Sequence, residues 1–291
     1  QLEVTGGTAE VAQNFSTTLY TGTGATNSID NGVDLANDGG LVWIKGRTFT
    51  DPLAHMLWDT ERGPLKALFS NTTDAEYNFS NTLTSFNASG FSIGLGGAVS
   101  SSGEDFVSWT FKKEPSFFDV VTWTGNDAVR QIPHNLGSTV GMIIVKRTDT
   151  SGYNWYVYHT SNGASGAMAL DTTNAFFAYT ALWNNTAPTS THFTVGNNAN
   201  VNENGATYVA YLFAHDDAAD GLIQCGSFVP SLTWQSVIDL GWKPQWIMYK
   251  KATSTGDWNI VDTIRGIVTG AADPTLFPNK TDAEVNYIDS F

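Results

Sequence analysis

The chain has 291 residues, and 28 acidic residues against 14 basic ones give it a net charge of −14. Such an acidic chain repels phosphate groups, which argues against nucleic-acid binding. One cysteine excludes an intrachain disulfide framework, and no apolar run is long enough for membrane insertion. Only 14% of the residues are charged, which argues against a charge-rich helical enzyme of the cytosol.

Short strands are predicted along the whole chain. In chain order, the apolar or aromatic runs lie at residues 41–45, 106–111, 140–147, 153–159, 207–213 and 246–250. Turn signals such as Asn31-Gly32 and Asn204-Gly205 separate these runs at short intervals. No segment has a long helical period between caps. The pattern is typical of an all-β protein built from antiparallel β-sandwiches of the jelly-roll or lectin-like type.

A tandem repeat organises these strands. The runs that end at Lys45, Lys146 and Lys250 recur about 100 residues apart. Residues 59–63 return at 262–266, and residues 68–76 return at 276–284. Because the matches keep the same order and nearly constant spacing, we predict three related units.

The predicted boundaries give an N-terminal extension at residues 1–17 and three units at 18–116, 117–220 and 221–291. A period of about 100 residues exceeds that of most solenoids, so each unit should be a small domain of its own. The third unit is expected to be incomplete, because its last two strands would fall beyond Phe291. Either the recorded chain is incomplete, or the alternating segment at residues 2–5 of another copy fills the gap by donor-strand exchange.

Two Asp–Arg pairs are kept between the first and third units. Asp59 and Arg62 correspond to Asp262 and Arg265. In a chain with so few charges, we predict that each pair pins a loop through a bidentate ion pair rather than binding a ligand. The sequence has no nucleotide-binding glycine pattern, no nucleophile elbow and no zinc-type histidine pair. We therefore expect no enzymatic activity and no organic cofactor.

An acidic cluster lies at the join between the second and third units. Asp216, Asp217 and Asp220 are candidate calcium ligands, because hard cations bind carboxylate oxygens at turns. A solvated acidic linker is the alternative, since the first join carries Lys112 and Lys113 at the equivalent place. The cluster also does not fit the EF-hand loop pattern.

Aromatic residues are more numerous than three small cores require, with ten tryptophans and ten tyrosines. Trp123, Trp183, Asn184 and Asn185 are the candidate glycan-binding residues, because sugars stack on exposed rings and asparagines bind their hydroxyl groups. The alternative is that such rings pack between units or between subunits.

The first unit shows the repeated pattern most fully. Its motifs lie at residues 41–45, 58–63, 68–76, 83–86, 90–94 and 106–111. This pattern resembles a repeated β-domain of uncharacterised virion proteins from marine tailed bacteriophages, cyanophages among them. The resemblance implies a tail-fibre or other surface component, located on the virion and assembled with copies of itself and with other virion proteins. Because phage fibres are typically trimers, it also implies a homo-oligomer, either a trimer or a polymer. The second unit departs from the pattern at residues 158–163.

The sequence therefore favours a non-enzymatic virion structural protein that serves assembly and recognition of host-surface glycans. Two other hypotheses stay open. A secreted bacterial adhesin or extracellular filament subunit, completed by donor-strand exchange, would use the same sandwiches. A polysaccharide-degrading tailspike would need paired carboxylates, for which Asp59 with Glu61 and Glu104 with Asp105 qualify by proximity alone.

Overall fold

The structure is a computed structural model that describes residues 8–48, 53–216, 221–230, 238–267 and 272–288. Within these residues the chain is almost entirely antiparallel β-structure, and the all-β sandwich prediction is confirmed. Helix is confined there to α1 (Thr8–Asn14) and to two four-residue segments. No helix of the described residues is both long and apolar enough to cross a membrane. The segment at residues 2–5 proposed for donor-strand exchange lies outside the described residues.

The first unit is a two-layer sandwich that also contains the short helix α2 (Gly97–Ser100). Its strands are β1 (Phe15–Thr21), β2 (Asn27–Asp30), β3 (Gly40–Gly46), β4 (Met56–Asp59), β5 (Lys66–Phe69), β6 (Tyr77–Asn78), β7 (Leu83–Asn87), β8 (Gly90–Ile93) and β9 (Asp105–Lys112). Six of them form a large sheet in the order β1-β9-β3-β4-β5-β6. The small sheet β2-β8-β7 packs against one face of the large sheet.

The second unit repeats this arrangement. Its strands are β10 (Phe118–Thr124), β11 (Arg130–Pro133), β12 (Val140–Arg147), β13 (Tyr156–His159), β14 (Gly166–Ala169), β15 (Phe177–Ala178), β16 (His192–Val195) and β17 (Thr207–Ala214). The large sheet has the equivalent order β10-β17-β12-β13-β14-β15, and the small sheet is β11-β16. A single helical turn, α3 (Thr180–Trp183), stands where the first unit has β7.

The third unit contains the counterparts of β3 to β6. These strands are β18 (Trp246–Tyr249), β19 (Asn259–Asp262), β20 (Ala272–Thr275) and β21 (Val285–Ile288). β18 pairs with β19, β20 pairs with β21, and a bridge from Ile260 to Leu276 links the two hairpins. The described part of this unit therefore has the counterparts of four of the six strands of a large sheet.

The apolar run at the start of each repeat is buried on both faces. In β3, Val42 and Ile44 point into the core between the two sheets of the first unit. Leu41 and Trp43 point to the opposite face, because successive side chains of a strand alternate. A strand with two buried faces needs an unbroken apolar sequence rather than an alternating one.

The outward faces of the large sheets meet in one shared core. Rings from all three units line it: Trp43 and Trp109 from the first unit, Trp155 and Tyr211 from the second, and Trp258 from the third. The first two units also keep separate cores between their own sheets. The expectation that each unit is a domain of its own was therefore wrong, because a sheet that is apolar on both faces must bury the second face as well.

Candidate functional site

Each unit is joined to another by a lysine at the end of an equivalent strand. Each lysine side-chain nitrogen donates to a carbonyl oxygen of its own unit and to the carbonyl oxygen of a threonine in a different unit. The pairs between units are Lys45 with Thr281 (2.9 Å), Lys146 with Thr73 (3.1 Å) and Lys250 with Thr173 (3.0 Å). The three threonines occupy the same place in their units, so a single contact is repeated three times.

These contacts close into a ring. The first unit donates to the third, the second donates to the first, and the third donates to the second. Three domains in a row would bring together only units that are adjacent in sequence. Direct contact between the first and third units instead indicates a cyclic arrangement about a central axis. The three units of one chain are thus arranged like the subunits of a cyclic trimer.

A backbone hydrogen bond accompanies each lysine. In every case the N–H group of a residue three positions after the threonine donates to a carbonyl two positions after the lysine. The bonds run from Glu284 to Arg47 (2.9 Å), from Glu76 to Thr148 (2.9 Å) and from Phe176 to Ala252 (2.8 Å). Because main-chain groups make these bonds, the ring persists although the side chains at these positions have diverged.

A buried ring directly before each of the equivalent strands β4, β13 and β19 makes the next contact. The indole N–H of Trp155 donates to the carbonyl oxygen of Phe69 at 2.9 Å, and that of Trp258 donates to Ala169 at 2.9 Å. His55 holds the equivalent position in the first unit and lies against the backbone of Phe277. These contacts follow the same direction around the ring as the lysines.

The structure contains both Asp–Arg pairs. In each, one carboxylate oxygen accepts from the arginine Nε at 2.6 Å, and the other accepts from the arginine backbone N–H at 2.9 Å. This geometry differs from the predicted bidentate ion pair, in which both carboxylate oxygens bind the guanidinium. Here one oxygen binds the guanidinium and the other binds the backbone of the turn. The remaining guanidinium nitrogens are free to bind Glu76 at Arg62 (3.0 Å) and Glu284 at Arg265 (3.1 Å).

The same aspartates accept a bond from a neighbouring unit. The hydroxyl of Tyr211, in the second unit, donates to Asp59 at 2.8 Å. The indole of Trp109, in the first unit, donates to Asp262 at 3.0 Å. The two rings are equivalent residues of β17 and β9. The pairs predicted to pin loops therefore also join the units, which the sequence pattern alone did not indicate.

The third join is chemically different. His159 replaces the aspartate in the second unit, and Asn162 replaces the arginine. The Nδ1 atom of His159 accepts the backbone N–H of Ser161 at 3.2 Å. Burial lowers the pKa of His159, and the nearby His215 lowers it further. The imidazole of His159 is therefore neutral, whereas the other two joins have a carboxylate at the equivalent position.

Burial shapes the charges at the joins. It lowers the pKa of Lys45 to about 8, with Asp282 opposing the shift. It lowers the pKa of Lys146 to about 8 as well, against Asp171 and Asp74. At neutral pH both ammonium groups keep their charge, which carbonyl oxygens rather than carboxylates solvate directly. Burial also holds the pKa of His55 well below its usual value, so this ring is neutral.

The candidate glycan-binding tryptophans are buried, so their prediction as stacking surfaces was wrong. Trp123 and Trp183 are 7% and 2% exposed. Both belong to the core of the second unit, where their indole groups donate to the carbonyl oxygens of Val201 and Gly166. The physical reason is that this fold needs large apolar side chains between its two sheets, and both the strand β10 and the helical turn α3 supply them.

The two candidate asparagines lie on the surface directly after α3. Asn184 and Asn185 are exposed and have left-handed backbone conformations, each with φ of 50°. Asparagine tolerates this conformation better than most residues, and Asn184 caps the helical turn. Both residues are therefore accessible to solvent.

The calcium candidates are only partly described. Asp217 and Asp220 lie outside the described residues, and Asp216 donates its backbone N–H to Ile223 at 2.9 Å. Within the described parts of the chain, no group of three or more His, Cys, Asp or Glu side chains is placed to hold a metal ion. The calcium prediction stays a prediction.

A cleft of about 290 Å³ opens between the first two units. Lys113 and Glu61 line one side of it, and residues of β10 and β11 line the other. The ammonium of Lys113 is ion-paired with Glu61 and lies 3.6 Å from the carboxylate of Asp119. Lys113 is therefore already engaged, and the cleft has a second cationic side chain in Arg130, from β11.

Comparison with known proteins assigns the chain to a family without assigning it a role. A family model described as Domain of unknown function (DUF7483) matches residues 10–290, a span that includes all three units. No curated protein and no solved structure gives a significant match.

Proposed function

The chain belongs to this DUF7483 family of unknown function, and we propose that it is a non-enzymatic structural protein of a virion surface, of the tail-fibre type. Its three units form one rigid body that serves assembly with further copies and with other virion proteins. The ring of equivalent contacts between the units is the observation that carries this proposal.

The use of the buried polar groups supports a scaffold. Asp59, Arg62 and Tyr211 bond to one another across two units, and the lysines bind backbone carbonyls. A catalytic centre instead needs such groups to converge on a space that a substrate can enter. The resemblance of the repeat to virion proteins supports the surface location.

The second part of the proposal is recognition of host-surface glycans by polar loops. Since the tryptophans are buried, the contact falls on exposed side chains such as Asn184 and Asn185. Many weak loop contacts add up when several copies are held together, so a rigid scaffold raises the avidity of the whole surface.

A pair of glycine substitutions tests this recognition. N184G combined with N185G removes both amide groups but keeps a residue that favours positive φ. We expect loss of binding to host-surface glycans on an array, with an unchanged Tm. N204G, in an exposed turn of the same unit, is the control. Unchanged binding by the double variant, or no glycan binding by the native chain, would remove this part of the proposal.

Three measurements test the scaffold. Electron microscopy of the purified protein should show discrete particles or closed oligomers, and antibodies against the chain should label the surface of phage particles. Incubation with capsular and cell-wall polysaccharides should release no reducing ends. Release of reducing ends would instead identify a polysaccharide-degrading tailspike.

A secreted filament subunit is the second candidate. It is favoured by one observation, the strand β18, which has only one paired edge among the described residues. Edges of this kind support open-ended polymers. Filaments in the micrographs, in the absence of label on phage particles, would favour this candidate over the virion protein.

A further inference from the structure

Arg130 differs from the other arginines in its partners. The chain has five arginines. Four of them bind aspartate or glutamate carboxylates, namely Arg47, Arg62, Arg147 and Arg265. Arg130 makes no hydrogen bond or ion pair with any residue that the structure describes. In a chain with 28 acidic residues, this guanidinium is the one that the described structure leaves available to a ligand.

The strand β11 directs Arg130 into the cleft between the first two units. Arg130 lies on the same strand face as Ile132, because side chains two residues apart share a face. Ile132 and Val195, the residue opposite Arg130 in β16, both belong to the core of the second unit. The half-buried Arg130 therefore lies at the rim of that core, where its side chain lines the cleft.

The fold itself does not require a cation at this position. Asn27 is the counterpart of Arg130 in the first unit, since Asn27 pairs with Ile93 in β8 as Arg130 pairs with Val195 in β16. The first unit thus forms the same two-layer sandwich with a neutral residue there. A role in folding leaves the charge of Arg130 unexplained.

The outer edge of β10 supplies main-chain groups to the same cleft. The N–H group of Glu114 donates to the carbonyl oxygen of Phe118 at 3.0 Å, so Phe118 faces away from β17. Because main-chain groups of successive residues point to opposite sides, those of Val120 and Thr122 also face outward. Asp119 already binds the N–H group of Val120 at 2.9 Å. The N–H and C=O groups of Thr122 therefore line the cleft and can bind hydroxyl groups.

The remaining walls combine apolar and polar side chains. Val121, Ile132 and Pro133 give an apolar surface, and Asn135 and Glu61 are exposed polar residues at the cleft. Small-molecule sites have this composition, an apolar surface with a few polar groups, and a volume from about 300 Å³ upward. At about 290 Å³, the cleft suits a ligand of the size of one sugar ring, whose C–H groups contact the apolar surface.

The charges of the cleft select the ligand further. Lys113 is engaged by Glu61 and Asp119, so Arg130 is the cation that remains for an anion. Its planar guanidinium matches a carboxylate through two parallel hydrogen bonds. Glu61 can accept hydroxyl groups, but it repels a second anionic group. The cleft therefore favours a ligand with one carboxylate and several hydroxyl groups.

We propose that this cleft binds an acidic sugar of the uronic-acid type, with Arg130 as the ligand of its carboxylate and with the main chain of Thr122, Asn135 and Glu61 as partners of its hydroxyl groups. The unpartnered guanidinium inside a cleft of this size carries the assignment. It goes beyond the proposed function, because it depends neither on a virion location nor on glycan contacts at Asn184 and Asn185.

D-glucuronate is the probe, and titration of the intact chain followed by NMR is the measurement. The backbone amides of Thr122 and Asn135 should shift as D-glucuronate is added. The amide of Leu19 is the internal control and should not move, because β1 is the counterpart of β10 in a unit that carries Asn27 instead of an arginine. Glucose and acetate, which each present half of the chemistry, should bind at least about tenfold more weakly.

The variant R130N tests the role of the guanidinium. It places in the second unit the residue that the first unit has at the equivalent position, so the Tm should stay unchanged. Binding of D-glucuronate should weaken about tenfold or more, because a charge-assisted bidentate bond is lost. K243N removes an exposed cation of the third unit and should bind as the native chain does.

Four results would overturn the proposal: no shift at Thr122 and Asn135, equal binding of glucose, equal binding by R130N, or tighter binding of acetate or inorganic phosphate than of D-glucuronate. The last result would identify a simple anion site. The variant N184G combined with N185G separates this inference from the proposed glycan contacts, since it should bind D-glucuronate as the native chain does.

Discussion

Lys45 and Lys146 are buried ammonium groups that backbone carbonyl oxygens solvate. Each replaces the water it loses with two or more carbonyls, and one of these belongs to another unit. The burial cost of the charge is therefore offset only when the two units are in contact. The free energy of burying each lysine therefore depends on contact between the units.

Replacing Lys146 by methionine should change how stability depends on pH. The pKa of Lys146 is about 8 in the folded chain and about 10.4 in an unfolded one. Between these values the unfolded state binds more protons, so rising pH stabilises the native protein. The free energy of unfolding of the native chain should rise relative to that of K146M by about 3 kcal/mol from pH 7.5 to 10.5.

Chemical denaturation of both proteins across this pH range measures the difference. K251M removes an exposed lysine from the same segment of the third unit and should change the free energy of unfolding at pH 7 by less than about 0.5 kcal/mol. Parallel curves for the native chain and K146M would show that the ammonium of Lys146 is not buried.

Replacing Tyr211 by phenylalanine should loosen a turn in a different unit. The hydroxyl donates to Asp59, which also accepts the backbone N–H of Arg62. Losing a hydrogen bond to a charged group should cost about 1.5–3 kcal/mol. The amide of Arg62 should then exchange faster with solvent, although the substitution lies in the second unit.

Y208F is the matched control for this variant. The hydroxyl of Tyr208 is also hydrogen-bonded, but its partners Ala199 and Glu203 belong to its own unit. It should lower stability without changing exchange at Arg62. Equal exchange at Arg62 in both variants would argue against the bond between the units.

At the scale of the element, the central strands of the large sheets serve two cores. Ile143 and Ile144 are neighbours in β12 and are both fully buried. Ile143 points into the core of the second unit, and Ile144 points into the shared core. One strand thus couples the stability of its own sandwich to that of the whole assembly.

Truncating Ile143 and Ile144 one at a time should show which parts of the chain each of the two cores stabilises. I143A and I144A should each cost about 2–5 kcal/mol, because both leave a cavity of the same chemistry. Hydrogen exchange should distinguish them. I143A should increase exchange mainly in β11 and β16, whereas I144A should also increase it in β3 and β19. The account of the shared core fails if neither variant affects the first and third units.

The strands and their repeat follow from the sequence, because apolar runs and turn residues act locally. The Asp59–Arg62 pair also follows, since its partners lie three residues apart. The contact of Lys45 with Thr281 does not, because it depends on how units are placed around an axis. Threonines 73, 173 and 281 do recur at equivalent positions in the sequence. Their role as acceptors for the lysines could be assigned only once the structure placed the units side by side.

The prediction of sugar-binding surfaces from the aromatic excess failed for a reason of geometry, whereas the alternative, that rings pack between units, holds for several of them. The structure has a core inside each of the first two units and a further core that all three units share, and this shared core needs rings of its own. Trp43, Trp109 and Trp258 fill the additional volume, so the surplus did not indicate exposed sugar-binding surfaces. Trp123 and Trp183 lie within a single sandwich and could not be distinguished from exposed rings by their polar neighbours in the sequence.

At the scale of the whole molecule, the ring links residues far apart in the chain. Arg47 in the first unit binds Glu284 in the third through two hydrogen bonds of 2.9 and 2.8 Å. Arg265 binds the same carboxylate at 3.1 Å. Because each unit contacts both others and contributes to the shared core, no unit should unfold without disturbing both others.

Calorimetry of the intact chain tests this claim most directly. A single body with a shared core should unfold in one transition, with a calorimetric enthalpy equal to the van't Hoff enthalpy. Two or three resolved transitions, each with the enthalpy of about 100 residues, would show independent units and contradict the ring.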